Sequence, residues 1–106
     1  MIAVTVKIEG SVFELTMHGH AEYAEAGKDI VCAAASMLFC LACERAGHLC
    51  DTPQVERRSG YGRLCCKVED MEAVTALETV LSGFEMLARQ FPENVKVEGS
   101  VEICPF

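Results

Sequence analysis

The sequence predicts an α+β domain in which one mixed five-stranded sheet is covered by two helices, in the order β-β-α-β-β-α-β. Three observations carry this prediction. Period-two alternation of apolar and polar residues occupies both ends and the middle of the chain. Two long apolar segments separate those stretches, each opening at an aspartate, Asp29 and Asp70. Strands that are polar on one side need cover on the other, and two helices supply it. The 106 residues are enough for one hydrophobic core and too few for two, so 1–106 is read as a single domain. Strand order is not readable from the pattern.

The elements follow in turn. Ile2, Val4, Val6 and Ile8 share one strand face, with Thr5, Lys7 and Glu9 opposite. Gly10-Ser11 turns the chain, and Phe13, Leu15 and Met17 form the apolar side of a second strand. Residues 18–29 hold two glycines and no sustained period, so they read as a long loop, and long loops tend to carry function. Asp29 suits a helix N-cap, the helix runs from Ile30 to about Ala46, and Gly47 suits its stop. Its first turns are apolar nearly all round, which predicts packing on more than one side. Gln54–Arg58 and Arg63–Val68 read as a hairpin around Ser59-Gly60-Tyr61-Gly62. Asp70 caps the second helix, whose stripe is Met71, Val74, Leu77, Leu81, Phe84, Ala88 and Phe91; Pro92 ends it. Val95, Val97, Val101 and Ile103 then alternate with polar residues as a last strand.

Composition narrows the function. Hydrophobic residues make up 51% and charged residues 24%, an ordinary globular balance. The net charge of −7 argues against direct nucleic-acid binding, which needs a positive footprint, and favours basic partners. The N-terminal segment alternates at once, without the basic and apolar regions of a leader. The nearly uncharged run from Ile30 to Cys43 is too short to span a membrane, so no membrane partner and a cytoplasmic location are expected. Seven cysteines, an odd number, do not suit a disulfide scaffold in such a chain; most are expected to be small buried hydrophobes.

One cysteine is different. Cys32 stands at about the third helical position, where backbone N–H groups lack helical partners and the helix dipole is positive. Both favour a thiolate over a thiol. His18 and His20 lie upstream on the loop, either able to serve as proton carrier, and the N–H groups of the first turn are the expected oxyanion donors. Spacing alone favours a structural cysteine at a helix start over a catalytic one.

The segments His18-Gly19-His20-Ala21 and Gly27-Lys28-Asp29-Ile30-Val31-Cys32-Ala33-Ala34, with Ser36 following, resemble the signature of the ribosomal-processing cysteine protease family of Firmicutes and related bacteria. The likeness extends less specifically over the whole chain. It implies that His20 and Cys32 form a catalytic dyad; beside it, the residues themselves offer Gly19, Asp29 and Ser36 as support and Glu22, Tyr23 and Gly27 as substrate-loop positions. It implies a cysteine endopeptidase without metal or cofactor, acting as a homodimer. Its substrate would be the N-terminal extension of a large-subunit ribosomal protein, number twenty-seven in that series, cut after an aromatic residue. Position 35 is Ala where the family often has Val, and Cys40, Cys43 and Cys50 lie outside the signature.

Around this reading stand narrower alternatives. His18 competes with His20. Asp29 is a helix cap, a third catalytic member orienting His20, or both. Ser36 tunes the thiolate or satisfies its helix, and Tyr23 lines an apolar subsite or covers the core. Gly19 and Gly27 hinge the loop or only turn it. Glu22 and Glu25 attract a basic substrate or are simply solvated. A non-catalytic ribosome-associated binding module, and a thiol-redox or metal sensor built on Cys40, Cys43, His48 and Cys50, are the rival functions.

Overall fold

Alternation on one sheet face and spacing of three and four along two helices meet in a shared apolar layer. The computed structural model describes residues 1–99. Its strands are β1 (Ile2–Glu9), β2 (Val12–His18), β3 (Gln54–Arg58), β4 (Tyr61–Lys67) and β5 (Val95–Gly99). Its helices are α1 (Ile30–Leu49) and α2 (Met71–Gln90). The sheet order is β3-β4-β2-β1-β5, antiparallel except for the parallel pair β1–β5. The expected α+β architecture and element order are therefore present. The expected strand positions Val101 and Ile103 lie outside the described residues.

The side chains of Ile2, Val4, Val6, Phe13, Leu15, Leu64 and Cys66 are buried on one face. Onto them pack Val31, Ala35, Phe39, Ala42 and Ala46 of α1, and Val74, Leu77, Val80, Leu81, Phe84 and Leu87 of α2. The Phe39 ring lies over Gly62, where an added Cβ would come within 2.9 Å of it. The two helices close tightly where Leu38 meets Gly83. On the opposite face Arg63 reaches Glu14 at 2.7 Å.

Two expectations are corrected. Helix α1 does not stop at Gly47 but runs to Leu49, and the Cys50 N–H closes it on the Ala46 carbonyl at 2.8 Å. That glycine keeps helical geometry because nothing asks it to turn. The β3–β4 turn is only Ser59-Gly60, since Arg58 pairs with Tyr61 and the strand starts there. As expected, α1 packs on more than one side, on the sheet through Phe39 and on α2 through Leu38, but one stripe stays open. Ile30 and Met37 are 61% and 68% exposed, and Leu41 is exposed with them. The described residues supply no third layer to cover that stripe.

Candidate active site

Asp29 organises the start of α1. Its Oδ1 accepts from the Val31 and Cys32 N–H groups at 3.0 and 2.9 Å, while its carbonyl accepts from Ala33 at 3.1 Å. Its Oδ2 accepts from the Tyr23 and Ala24 N–H groups of the loop at 2.9 and 3.2 Å. Hydrogen bonds to the carboxylate, that from Cys32 foremost, hold the Asp29 pKa below 3.8. One side chain thus caps the helix and ties the loop to it. No bond runs from Asp29 to His20, so the third-member reading does not match this geometry. Two of the first-turn amides expected to receive an oxyanion, those of Val31 and Cys32, are already engaged by Asp29, because a good N-cap consumes the donors it is prized for.

The loop backbone is pinned on its other side. Gly19 N–H donates to the Gly60 carbonyl at 2.8 Å, the Met1 nitrogen to the His20 carbonyl at 2.6 Å, and Asn94 Nδ2 to the Ala21 carbonyl at 2.9 Å. Gly19 has φ +99° and packs against the Met1 carbonyl, leaving no room for a side chain. Glu22, a non-glycine residue, is held at φ +57°.

These ties bring His20 and Cys32 to one place. A cleft of about 570 Å³ is lined by His20, Glu22, Ala24, Ala26, Gly27, Asp29, Cys32, Ala33 and Ser36. A second cavity of about 200 Å³ adjoins it; His20, Cys32 and Ser36 line it together with Met17, Phe39, Arg57, Arg58 and the Ser59-Gly60 turn. The His20 ring lies on Gly60, whose added Cβ would be 2.8 Å from Nε2. Cys32 Sγ accepts the Ala21 N–H at 3.2 Å.

His18 does not share this place. It follows the outward parity of Glu14 and Thr16 and sits edge-on to Tyr61, with ring centroids 6.3 Å apart. Tyr23 lies outside both cavities, stands edge-on to Phe91 at 5.3 Å and donates its amide to Asp29, in keeping with the core-covering alternative. Among the described residues, no three His, Cys, Asp or Glu side chains converge as a metal site, so Cys40, Cys43, His48 and Cys50 do not form the sensor's cluster. Asn94 was missed by the sequence reading. Its only signal was a polar side chain just beyond Pro92, and nothing there pointed to a loop far back in the chain.

The model of the family described as cysteine protease Prp matches residues 1–96. The chain belongs to this family. Prp enzymes are cysteine proteases, and the chain is a hydrolase of that class. The ribosomal processing cysteine protease Prp of Staphylococcus aureus is 31% identical over 100 residues, which cover 91% of this chain and 94% of its own. Two crystal structures of Prp from S. aureus share the fold. One, in complex with a covalently linked product peptide, matches with a TM-score of 0.82 at 27% identity. The other, in complex with a substrate peptide, matches with a TM-score of 0.71 at 27% identity. Each match covers 92% of this chain and 98% of the solved one.

Proposed function

We propose that this Prp removes the N-terminal extension of a large-subunit ribosomal protein, number twenty-seven, with His20 and Cys32 as its catalytic dyad. The observation that carries the reading is the convergence of these two side chains on one open cleft at the start of α1. The covalently linked peptide in the S. aureus structure and the processing role in that relative's name support it.

Cys32 Sγ attacks the scissile carbonyl, and His20 takes its proton. The tetrahedral oxyanion collapses as His20 returns that proton to the leaving amine, giving an acyl-enzyme. Water, deprotonated by His20, then releases the acid. The apolar floor of Ala24, Ala26 and Ala33 suits an aromatic side chain before the cut. Glu22 on the rim suits a basic tail beyond it. The exposed stripe Ile30, Ala33, Met37 and Leu41 runs from the cleft along α1; with Met86 it offers a second copy an apolar face, so we assign a homodimer.

A peptide carrying the ribosomal extension tests this. Cleavage after the aromatic residue is expected, falling at least about 1,000-fold in Cys32→Ala and in His20→Ala. Cleavage that survives Cys32→Ala overturns the mechanism.

A further inference from the structure

Asp29 occupies the Val31 and Cys32 amides of α1, yet the oxyanion of a thiol protease needs a donor, usually its largest electrostatic support. The donor aimed at the reacting sulfur comes instead from the loop. Resting on the dyad reading above, we propose that the Ala21 backbone N–H is the oxyanion donor of this enzyme and that Asn94 is the positioning residue that holds it there.

The Ala21 N–H lies 3.2 Å from Cys32 Sγ. An oxyanion forms on the carbon bonded to that sulfur, so a donor this close need only swing from sulfur to oxygen as charge moves between them. The N–H stabilises the thiolate before attack and the oxyanion after it.

Residue 21 is held on every side that leaves this N–H free. Its methyl is buried at 1% exposure. Its carbonyl accepts Asn94 Nδ2 at 2.9 Å, and the carbonyl of the peptide unit carrying the N–H accepts the Met1 nitrogen at 2.6 Å. Asn94 is itself fixed. Its N–H donates to the Phe91 carbonyl at 2.9 Å, and its carbonyl accepts the Ile2 N–H at 2.8 Å. It stands at the junction of α2, β1 and β5, so the rigid sheet sets the position of the donor. Pre-organised donors of this kind act without rearrangement during reaction.

The test replaces one atom. Ligating synthetic residues 1–31 to a segment that begins at Cys32 leaves a native junction and allows the His20–Ala21 amide to be made as an ester. Every side chain is kept and one N–H is lost. The ester chain is expected to lower kcat about 100-fold with KM within about twofold. It should also slow alkylation of Cys32 by iodoacetamide several-fold at a fixed pH. Asn94→Asp is nearly isosteric but cannot donate to the Ala21 carbonyl. It should lower kcat about tenfold with KM little changed and slow the same alkylation, a readout that lost stability alone would not move.

An ester chain that turns over within about threefold of the native chain, while Cys32→Ala is inactive, overturns the inference and leaves the thiol mechanism standing. Cleavage in Cys32→Ala removes the mechanism and this inference with it. Should Asn94→Asp fail to fold, the ester chain decides alone.

Discussion

Six cysteines share the described structure and differ in what surrounds each sulfur. Burial pushes the Cys43, Cys50 and Cys66 thiols up, and Cys66 furthest, with Cys50 beside it. These three are protonated near neutral pH and poor nucleophiles. Cys32 opens on the cleft and receives an amide hydrogen. Iodoacetamide at pH 6.5 is therefore expected to label Cys32 about tenfold faster than Cys43, Cys50 or Cys66, as read by peptide mass mapping. Equal labelling would contradict the assigned nucleophile. At this scale the sequence was a good guide to which sulfur matters, because an aspartate three residues ahead places Cys32 at a helix start. It was a poor guide to the donors around it. A residue that caps a helix can also bind loop amides, and the aperiodic loop carries no mark of which way its N–H groups point.

The joint between loop and helix rests on Asp29, and its two oxygens do separable work. Asn retains a carbonyl oxygen for the Val31 and Cys32 amides but presents no second acceptor to Tyr23 and Ala24. Asp29→Asn is thus expected to unfold near the wild-type temperature while kcat drops several-fold. Asp29→Ala loses the helix cap as well, and a lower urea midpoint is expected. The pH dependence follows from the depressed carboxyl pKa. A folded value below the unfolded 3.8 makes the contribution complete above about 3.8 and removes it as the pH falls through the lower folded value. Acid should release loop and helix start together, so loop proteolysis and loss of activity are expected to track each other on titration. Element positions were largely legible: β1, β2 and α2 follow from period two, period 3.6 and the stop at Pro92. The ends were less so, because Gly47 permits a stop without demanding one and Tyr61 pairs with Arg58 although it follows a turn glycine.

For the whole molecule, the sheet order β3-β4-β2-β1-β5 brings chain segments far apart in sequence to one edge of the cleft, and no local pattern encodes that. The apolar character of α1 was plain from its residues, but not what covers it. Apolar composition reports that a surface avoids water, and a helix half covered by its own chain reads like one wholly enclosed. If a second copy supplies the missing cover, Met37→Glu and Leu41→Glu together should convert a dimer to a folded monomer in sedimentation, with the far-ultraviolet spectrum unchanged. A monomeric native protein would remove the assignment.

The tight approach of the His20 ring to Gly60 bears on what this protein tolerates. Gly60 has φ +70°, a conformation that asparagine also adopts in hairpin turns at little cost. As a piece of backbone, the turn would accept that replacement. As the floor beneath an imidazole, it would not, because a Cβ would press on Nε2. Gly60→Asn is therefore expected to melt within a few degrees of the parent yet lose most of its peptide cleavage. The tip of a surface hairpin, forty residues from the histidine, is bound by the needs of proton transfer more strictly than by those of folding.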